Sequence, residues 1–342
     1  MAGPTGRDAR DDATCHSACM TRTDEPAPAD HPEAPLAGRR GPARLIVNPR
    51  AGNGAVRRVV PQLTAALTEG GLEFDVVQTR HADDGAALAR EALDAGIRYL
   101  VAVGGDGTIH HVVNGMFTRR VPVAADAVLG VCSAGSGSDF VRNFGLDRPV
   151  PVIARHLLSE HTMPIDIGVV EYTDSRGDRA ERLFANIAEA GYGAEVVRRA
   201  AKLPRRLGRV RYLLAAWASI AAISRTPARL SVDFTTRDLE LVELVVANGQ
   251  FFGGGMKVAP RAIPQDGRFS VLAFTGQRSQ VFMLTTQLFA GEHLPHPQIV
   301  EYQSATCGIT TDRPLLVEAD GELLGTTPAR FSMLKRTLHL KI

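Results

Sequence analysis

VAVGGDGTIHHVVNGM, residues 101–116, changes its periodicity half-way along. Val101 and Val103 alternate like the end of a buried strand, whereas Ile109, Val112, Val113 and Met116 recur at helical spacing. The glycines and Asp106 between them therefore mark a strand-to-helix turn. An open α/β sheet places its ligands at such turns, and the free N–H groups of a helix start attract anions. Glycines of this kind also serve plain tight turns, so the flanking segments must discriminate.

Upstream, ARLIVNP (43–49) reads as a short buried strand stopped by Asn48-Pro49, and RAGNGA (50–55) as a flexible basic turn. Residues 56–67 carry apolar side chains at helical spacing, closed by Gly70-Gly71. LEFDVVQT (72–79) and DDGAALAREALDAG (83–96) repeat the strand–helix unit, YLVAVGG (99–105) leads into the opening motif, and AVLGVCSAG (127–135) with DFVRNFG (139–145) adds a fourth unit. This alternation predicts a parallel sheet with right-handed crossovers. Near residue 163 the rhythm changes. PIDIGVVEY (164–172), RLFANIAEAG (182–191), ARLSVDFTT (228–236), ELVVANG (243–249), RFSVLAF (268–274) and FSMLKRTLHLKI (331–342) are strand-like, with a helical insert near 196–223. The expected fold class is α/β: an N-terminal parallel-sheet nucleotide-binding domain, 43–162 joined by 332–342, and a C-terminal sandwich-like β domain, 163–331. The cleft between two such domains suits a ligand.

The 342 residues allow about two domains, and 44% hydrophobic content supports real cores. A net charge of +2 gives no reason to expect a nucleic-acid partner. Cys15, Cys19, Cys132 and Cys307 suggest no disulfide framework, so a reducing, cytoplasmic setting is expected. Cys15-His16 with Cys19 lacks the further partners of a metal site. The first 42 residues read as a disordered tail without a secretory core, and Met20 is a second candidate start. No apolar run reaches the roughly 18 residues that span a bilayer, so the chain is expected to be soluble or peripheral.

Three glycine-rich turns end three strands: Asn48 to Gly54, Gly104 to Thr108, and Gly135 to Asp139. In a parallel sheet they converge on one edge, where their N–H donors and Arg50 would cradle phosphate. None is a dinucleotide fingerprint followed by a ribose-binding acid, and no Gly-Lys-Ser/Thr of a P-loop occurs.

NPRAG (48–52), GGDGTIHHVVNG (104–115), GSGSDFVRNFGL (135–146), FFGGGMKVAPRAIPQDGRFSV (251–271) and ADGE (319–322) together resemble the motifs of the diacylglycerol kinase catalytic family. The nearest branch is that of the soluble bacterial lipid kinases related to sphingosine kinase, and the resemblance runs from about residue 43 to the C-terminus. It implies an ATP-dependent kinase that phosphorylates a lipid hydroxyl, such as that of diacylglycerol, in an interdomain cleft. Carried over by position, Asn48, Pro49, Arg50, Ala51, Gly52, Gly104, Gly105, Asp106, Gly107, Thr108, Ile109 and His110 line the nucleotide. Thr79 and Ser136 add hydroxyl contacts. Asp266, with the carbonyls of Ile263 and Arg268, holds Mg²⁺; Glu322 is the proton acceptor, with Asp320 beside it.

Those roles suit the chemistry. Phosphoryl transfer needs positioning and charge neutralisation, Asp106 can reach a metal or the acceptor hydroxyl, and Glu322 can take its proton. Magnesium prefers hard oxygen ligands. Asp266-Gly267 and Asp320-Gly321 also read as ordinary turns. NAD kinases carry a GGDGT turn too, and a non-catalytic lipid-binding protein of the same fold is a further alternative; the segment 253–267 and ADGE favour the lipid branch. Three positions depart from the family pattern: His111 where an acid is usual, Ser138 for a frequent asparagine, and Cys132-Ser133 for a proline-containing pair.

Arg198, Arg199, Lys202, Arg205, Arg206, Arg209 and Arg211 precede an apolar run containing Trp217. That arrangement suits either an anionic membrane surface or a core helix with a solvated basic flank. The partners expected are thus a lipid substrate at a membrane surface and a peripheral membrane contact, with a homodimer allowed.

Overall fold

The strand–helix rhythm read before residue 160 is realised as a four-stranded parallel sheet. Its elements are β1 (Ala43–Val47), α1 (Val56–Glu69), β2 (Phe74–Gln78), α2 (Asp84–Asp94), β3 (Tyr99–Gly104), α3 (Asp106–Gly115), the short hairpin β4 (Phe117–Thr118) and β5 (Val121–Pro122), β6 (Val128–Ser133), α4 (Asp139–Arg142) and α5 (Val150–Leu158). The computed structural model describes residues 41–342 except 82, 135–137, 205, 206, 208, 209, 221, 222, 278, 279, 281–283, 285 and 286. Ser136, Arg205, Arg206, Arg209 and the N-terminal tail up to residue 40, with its Cys15 and Cys19, therefore lie outside the described residues.

The strands run β2-β1-β3-β6, and both faces are covered, as a parallel sheet requires. Leu45, Val47, Val101 and Val103 point to one face and pack with Leu63 and Leu67 of α1 and Ile153 and Leu157 of α5. Ile46, Leu100 and Ala102 point to the other and pack with Ala89 and Leu93 of α2 and Val112 and Val113 of α3. Val47 pairs with Val103, and Gly104 with Ser133, so these strands end level with one another. The ladder continues into the turns: Asn48 N–H bonds Val103 O at 2.9 Å, Ala134 N–H bonds Gly104 O at 2.8 Å, and Thr79 N–H bonds Val47 O at 2.9 Å. This register places the glycine-rich turns side by side.

The rest of the chain forms β7 (Thr162–Thr173), β8 (Arg179–Phe184), β9 (Ile187–Gly191), α6 (Tyr192–Ala200), α7 (Val210–Ile220), β10 (Thr226–Val232), β11 (Thr235–Leu241), β12 (Glu243–Ala247), β13 (Phe269–Phe274), β14 (Ile299–Ser304), β15 (Thr306–Thr311), β16 (Leu316–Ala319) and β17 (Glu322–Lys341). Antiparallel pairing in the order β14-β13-β12-β9-β16-β17 builds a β-rich half around Phe184, Phe269 and Phe331. The Phe184 and Phe269 rings stack at 5.5 Å. The final strand joins the halves: His339 and Leu340 pair parallel with Val128 and Leu129 of β6.

Several elements differ from the sequence reading. RLFANIAEAG is two strands, because the chain breaks around Asn186 to offer three consecutive N–H groups to Asp320. ARLSVDFTT turns back at Asp233, whose φ is 49°. The helical insert starts earlier, at Tyr192, and among the described residues it holds α6 and α7. The β4–β5 hairpin and α5 carried no signal that was read.

Candidate active site

Each glycine-rich turn is tied to the next. The Asn48 side chain donates to Thr108 Oγ1 at 3.2 Å while its own Oδ1 accepts the Arg50 N–H at 3.1 Å. Gly52 has φ 58°, and a Cβ there would lie 1.8 Å from Ala134 O, so only glycine lets the first turn approach the third. A Cβ on Gly104 would strike the Thr108 side chain at 2.3 Å. Asp106 accepts the N–H groups of Asp139 at 3.3 Å and Phe140 at 3.1 Å, capping α4 from a distance. Burial, and then the neighbouring Asp139 charge, push its carboxyl up to about 6 against those two hydrogen bonds.

Asp139 in turn accepts the Gly254 N–H at 2.7 Å and pairs with Arg142 at 3.0 Å. The glycine triplet 253–255 of the β-rich half is thereby fastened to α4. Ser138, at φ 58°, occupies a left-handed position that asparagine tolerates better than serine; its hydroxyl lies 2.7 Å from that of Ser133.

Across from the turns, β16 and β17 form a tight hairpin with Ala319 opposite Glu322. Asp320 and Gly321 have φ 51° and 89°, a pattern that suits a two-residue type I′ turn. The Asp320 carboxylate accepts N–H groups from Ala185 (2.9 Å), Asn186 (3.0 Å) and Ile187 (3.2 Å). Its Oδ2 also lies 3.0 Å from Nδ1 of the buried His110. That saturated carboxylate locks the hairpin to α3, and the lock aims the next side chain: Glu322 Oε1 lies 3.3 Å from where a Gly107 Cβ would stand. Glu322 is half-buried, over the first turn of α3.

Of the residues read from sequence, Asn48, Gly52, Gly104, Asp106, Gly107, Thr108, His110, Asp320 and Glu322 are brought together in this way. Pro49 and Ala51 are half-buried in the first turn, Arg50 is exposed beside them, Gly105 caps α3, and Thr79 is buried at the end of β2. Ile109 packs into the core beneath α3. His111, which stands where the family usually has an acid, is buried against His110 with rings 5.4 Å apart, and burial lowers its imidazole to about 4.

Ile263, Asp266 and Arg268 share one exposed loop. Asp266 Oδ1 accepts the Arg268 N–H at 2.9 Å, and Ile263 O accepts Gln265 N–H at 2.7 Å. Asp166 fastens the loop to β17 by accepting Gly267 N–H and Arg336 N–H, each at 2.7 Å. One carboxylate with main-chain carbonyls is a hard-oxygen set, chemically suited to Mg²⁺. Among the described residues no cluster of three or more His, Cys, Asp or Glu is arranged to hold a metal.

Two features escaped the sequence reading. Asn143 joins α4 to the β-rich half, donating to Asn186 Oδ1 at 3.0 Å and accepting Gln250 N–H at 2.6 Å. Glu189, Glu243 and Glu318, on the adjoining strands β9, β12 and β16, are all buried, with Glu189 directly opposite Glu318. Burial pushes Glu189 up to about 8, and burial with mutual repulsion holds Glu243 and Glu318 well above the carboxylate range. The available signal was a lone acid inside each apolar strand.

Comparison with known proteins now adds to this geometry. Residues 42–170 match the diacylglycerol kinase catalytic domain, and 186–342 match the YegS C-terminal NAD kinase beta sandwich-like domain. The probable lipid kinase YegS-like of Pseudomonas aeruginosa is 30% identical over 294 residues, covering 86% of this chain and 91% of that protein. The chain belongs to the diacylglycerol kinase catalytic family. The diacylglycerol kinase of Bacillus subtilis is 27% identical over 301 residues, 87% of this chain and 95% of that one. A crystal structure of a diacylglycerol kinase from Bacillus anthracis has a TM-score of 0.64 at 18% identity, covering 87% of this chain and 96% of that chain, and so shares the fold. The two matched segments of this kinase family meet where Glu322 approaches Gly107.

Proposed function

We propose that this protein is an ATP-dependent lipid kinase that transfers the γ-phosphoryl group to a hydroxyl of a lipid such as diacylglycerol, with Glu322 as the proton acceptor. The observation that carries the reading is the placement of the Glu322 carboxylate over Gly107, in the first turn of α3. A helix start and its glycine turn present N–H groups to phosphate oxygens, and Gly104, Gly105 and Gly107 keep side chains out of the way. The bond between Asn48 and Thr108 holds the first two turns in one arrangement.

A lipid hydroxyl entering between this cradle and Glu322 is lined up for attack on the γ-phosphorus. The new bond is oxygen to phosphorus, the bond to the ADP oxygen breaks, and the hydroxyl proton passes to the Glu322 carboxylate. Asp320 and His110 do not touch the reacting atoms in this scheme; they position Glu322. Asp106 stiffens the cradle by capping α4. Mg²⁺, held by Asp266 with the carbonyls of Ile263 and Arg268, would supply charge neutralisation. The test offers radiolabelled ATP with a lipid panel and, separately, with NAD. Label in a lipid extract is expected; label in NADP, or in neither, overturns the reading.

A further inference from the structure

Glu189, Glu243 and Glu318 form a group that the phosphoryl transfer described above does not use. Glu318 stands directly opposite Glu189, and Glu243 stands opposite Gly191, two residues on from Glu189. Alternation along a strand therefore sends all three side chains to one face of β9, β12 and β16. The small and apolar neighbours Ala188, Ala190, Leu244, Val246, Val317 and Ala319 fill the core on the other face. The three acids are 5, 8 and 0% exposed, too little for bulk water to carry their charge.

The start of α6 covers them, and α6 packs on β9, β16 and β17. A Cβ on Gly193 would stand 1.9 Å from Glu189 Oε2, so only glycine lets the helix start sit this close. Gly193 donates its N–H to Glu243 at 2.6 Å, and Gly321 donates its N–H to Glu318 at 2.7 Å. Gly321 is the neighbour of Glu322, so one member of the group holds the hairpin that carries the proton acceptor.

The groups that face the three supply no positive charge. Tyr192 of α6 lies near Glu189 and Glu243, and Asp320 lies near Glu318. β13 sets Phe274 against Glu243, and β17 sets Leu323 against Glu318. Glu195, further along α6, is itself taken by Arg198 and Arg199, at 2.6 and 2.7 Å. The described acids are not arranged to hold a metal either. Protons are left to neutralise the group, in keeping with the raised proton affinity that burial gives all three carboxyls.

We propose that the three glutamates form a proton-held clamp that positions Glu322, and that ionisation of the clamp frees the hairpin. The proposal rests on the reading of Glu322 as the proton acceptor. While protonated, the carboxyls pack under α6 as neutral groups and Glu318 holds Gly321 in place. A charge on Glu189 has no cation to face, and it is relieved by admitting water beneath the first turn of α6. That shift displaces Glu318, directly opposite, and the hairpin with it. The clamp is closed below about pH 8, where Glu189 keeps its proton, and it opens above. All three acids are positioning residues; none touches the reacting atoms.

The test begins with the full-length parent protein. Its infrared spectrum at neutral pH should show a band of protonated carboxyl groups that fades as pH rises through about 8 and that E189Q weakens. Absence of that band from the parent overturns the proposal, and this measurement needs neither a variant nor a substrate. In the kinase assay, the parent's kcat should fall on the alkaline side while KM for ATP holds, because the clamp touches the hairpin and not the glycine-rich turns. E189Q should move that fall to higher pH by about one unit or more. E318L leaves the Gly321 N–H unpaired and should lower kcat about tenfold or more at every pH. E318Q, whose amide oxygen accepts the same N–H without ionising, should restore kcat and resist alkali. An E189Q profile superimposable on the parent's overturns the proposal, as does an E318Q enzyme no faster than E318L. The infrared band as expected, with neither lipid nor NAD accepting label, would leave the protonated clamp standing and remove the kinase reading instead.

Discussion

Asp320 and Glu318 stand two residues apart at the end of β16, both buried, yet their carboxylates occupy different surroundings. Asp320 receives three main-chain N–H groups and faces His110, so its charge is matched from every side. Glu318 receives one N–H, from Gly321, and shares its surroundings with Glu189 and Glu243. One buried oxygen on each of those three glutamates finds no hydrogen-bond partner among the described residues. A buried carboxylate supplied with donors is a fastener; a group of them without enough donors raises its own proton affinity. The hairpin bearing Glu322 is held by one carboxylate of each kind.

The largest effect expected from this contrast is on catalysis. E322Q keeps shape and hydrogen bonding but loses the proton acceptor, so turnover should fall by about 10²–10⁴-fold while ATP binding, measured by calorimetry, stays nearly unchanged. Near-normal turnover would remove Glu322 from its role. D320A comes next. It strips the partners from three buried N–H groups and His110, and should cost about 3–5 kcal/mol of stability in denaturant titration. A cost under about 1 kcal/mol would show that the clasp is replaceable by water.

These two acids also show what could be read from the chain alone. The ADGE segment announced a turn and a pair of candidate acids, and the periodicities on either side of Gly104-Gly105 announced the turn at the sheet edge. Each is a local signal, carried by residues a few positions apart. The division of labour between Asp320 and Glu322 was not legible, because it depends on N–H groups more than 130 positions upstream. The same distance hid the break between β8 and β9: RLFANIAEAG is apolar enough to read as one strand, and only Asp320 explains why it is two. Asn143 and Asn186 were hidden likewise, since each meets its partner across the halves.

G52A should have a smaller effect than D320A. The new methyl meets Ala134 O in a left-handed backbone conformation, so the first turn must back away from the third. About 1–3 kcal/mol of stability should be lost, with a matching weakening of ATP binding. Unaltered ATP affinity would separate the first turn from the nucleotide site.

The smallest expected effect, and the one opposite in sign, falls on the glutamates. Glu189 is raised to about 8 in the folded protein, against an ordinary value of about 4.5. An acid whose folded value is raised favours folding in its protonated form. Its contribution is fully present below about pH 4.5 and is lost progressively as pH rises through about 8. E189Q removes the titrating group while keeping a side chain of similar size, so it should flatten stability against pH over that window. At pH 8 the variant should be more stable than the parent by about 1–2 kcal/mol, because the ionising carboxyl that burial disfavours is gone. At pH 5, where the parent carboxyl is already protonated, the two proteins should unfold at nearly the same denaturant concentration. An E189Q protein less stable than the parent at pH 8 would mean that the three carboxylates are matched by charge after all, and the contrast with Asp320 would fail.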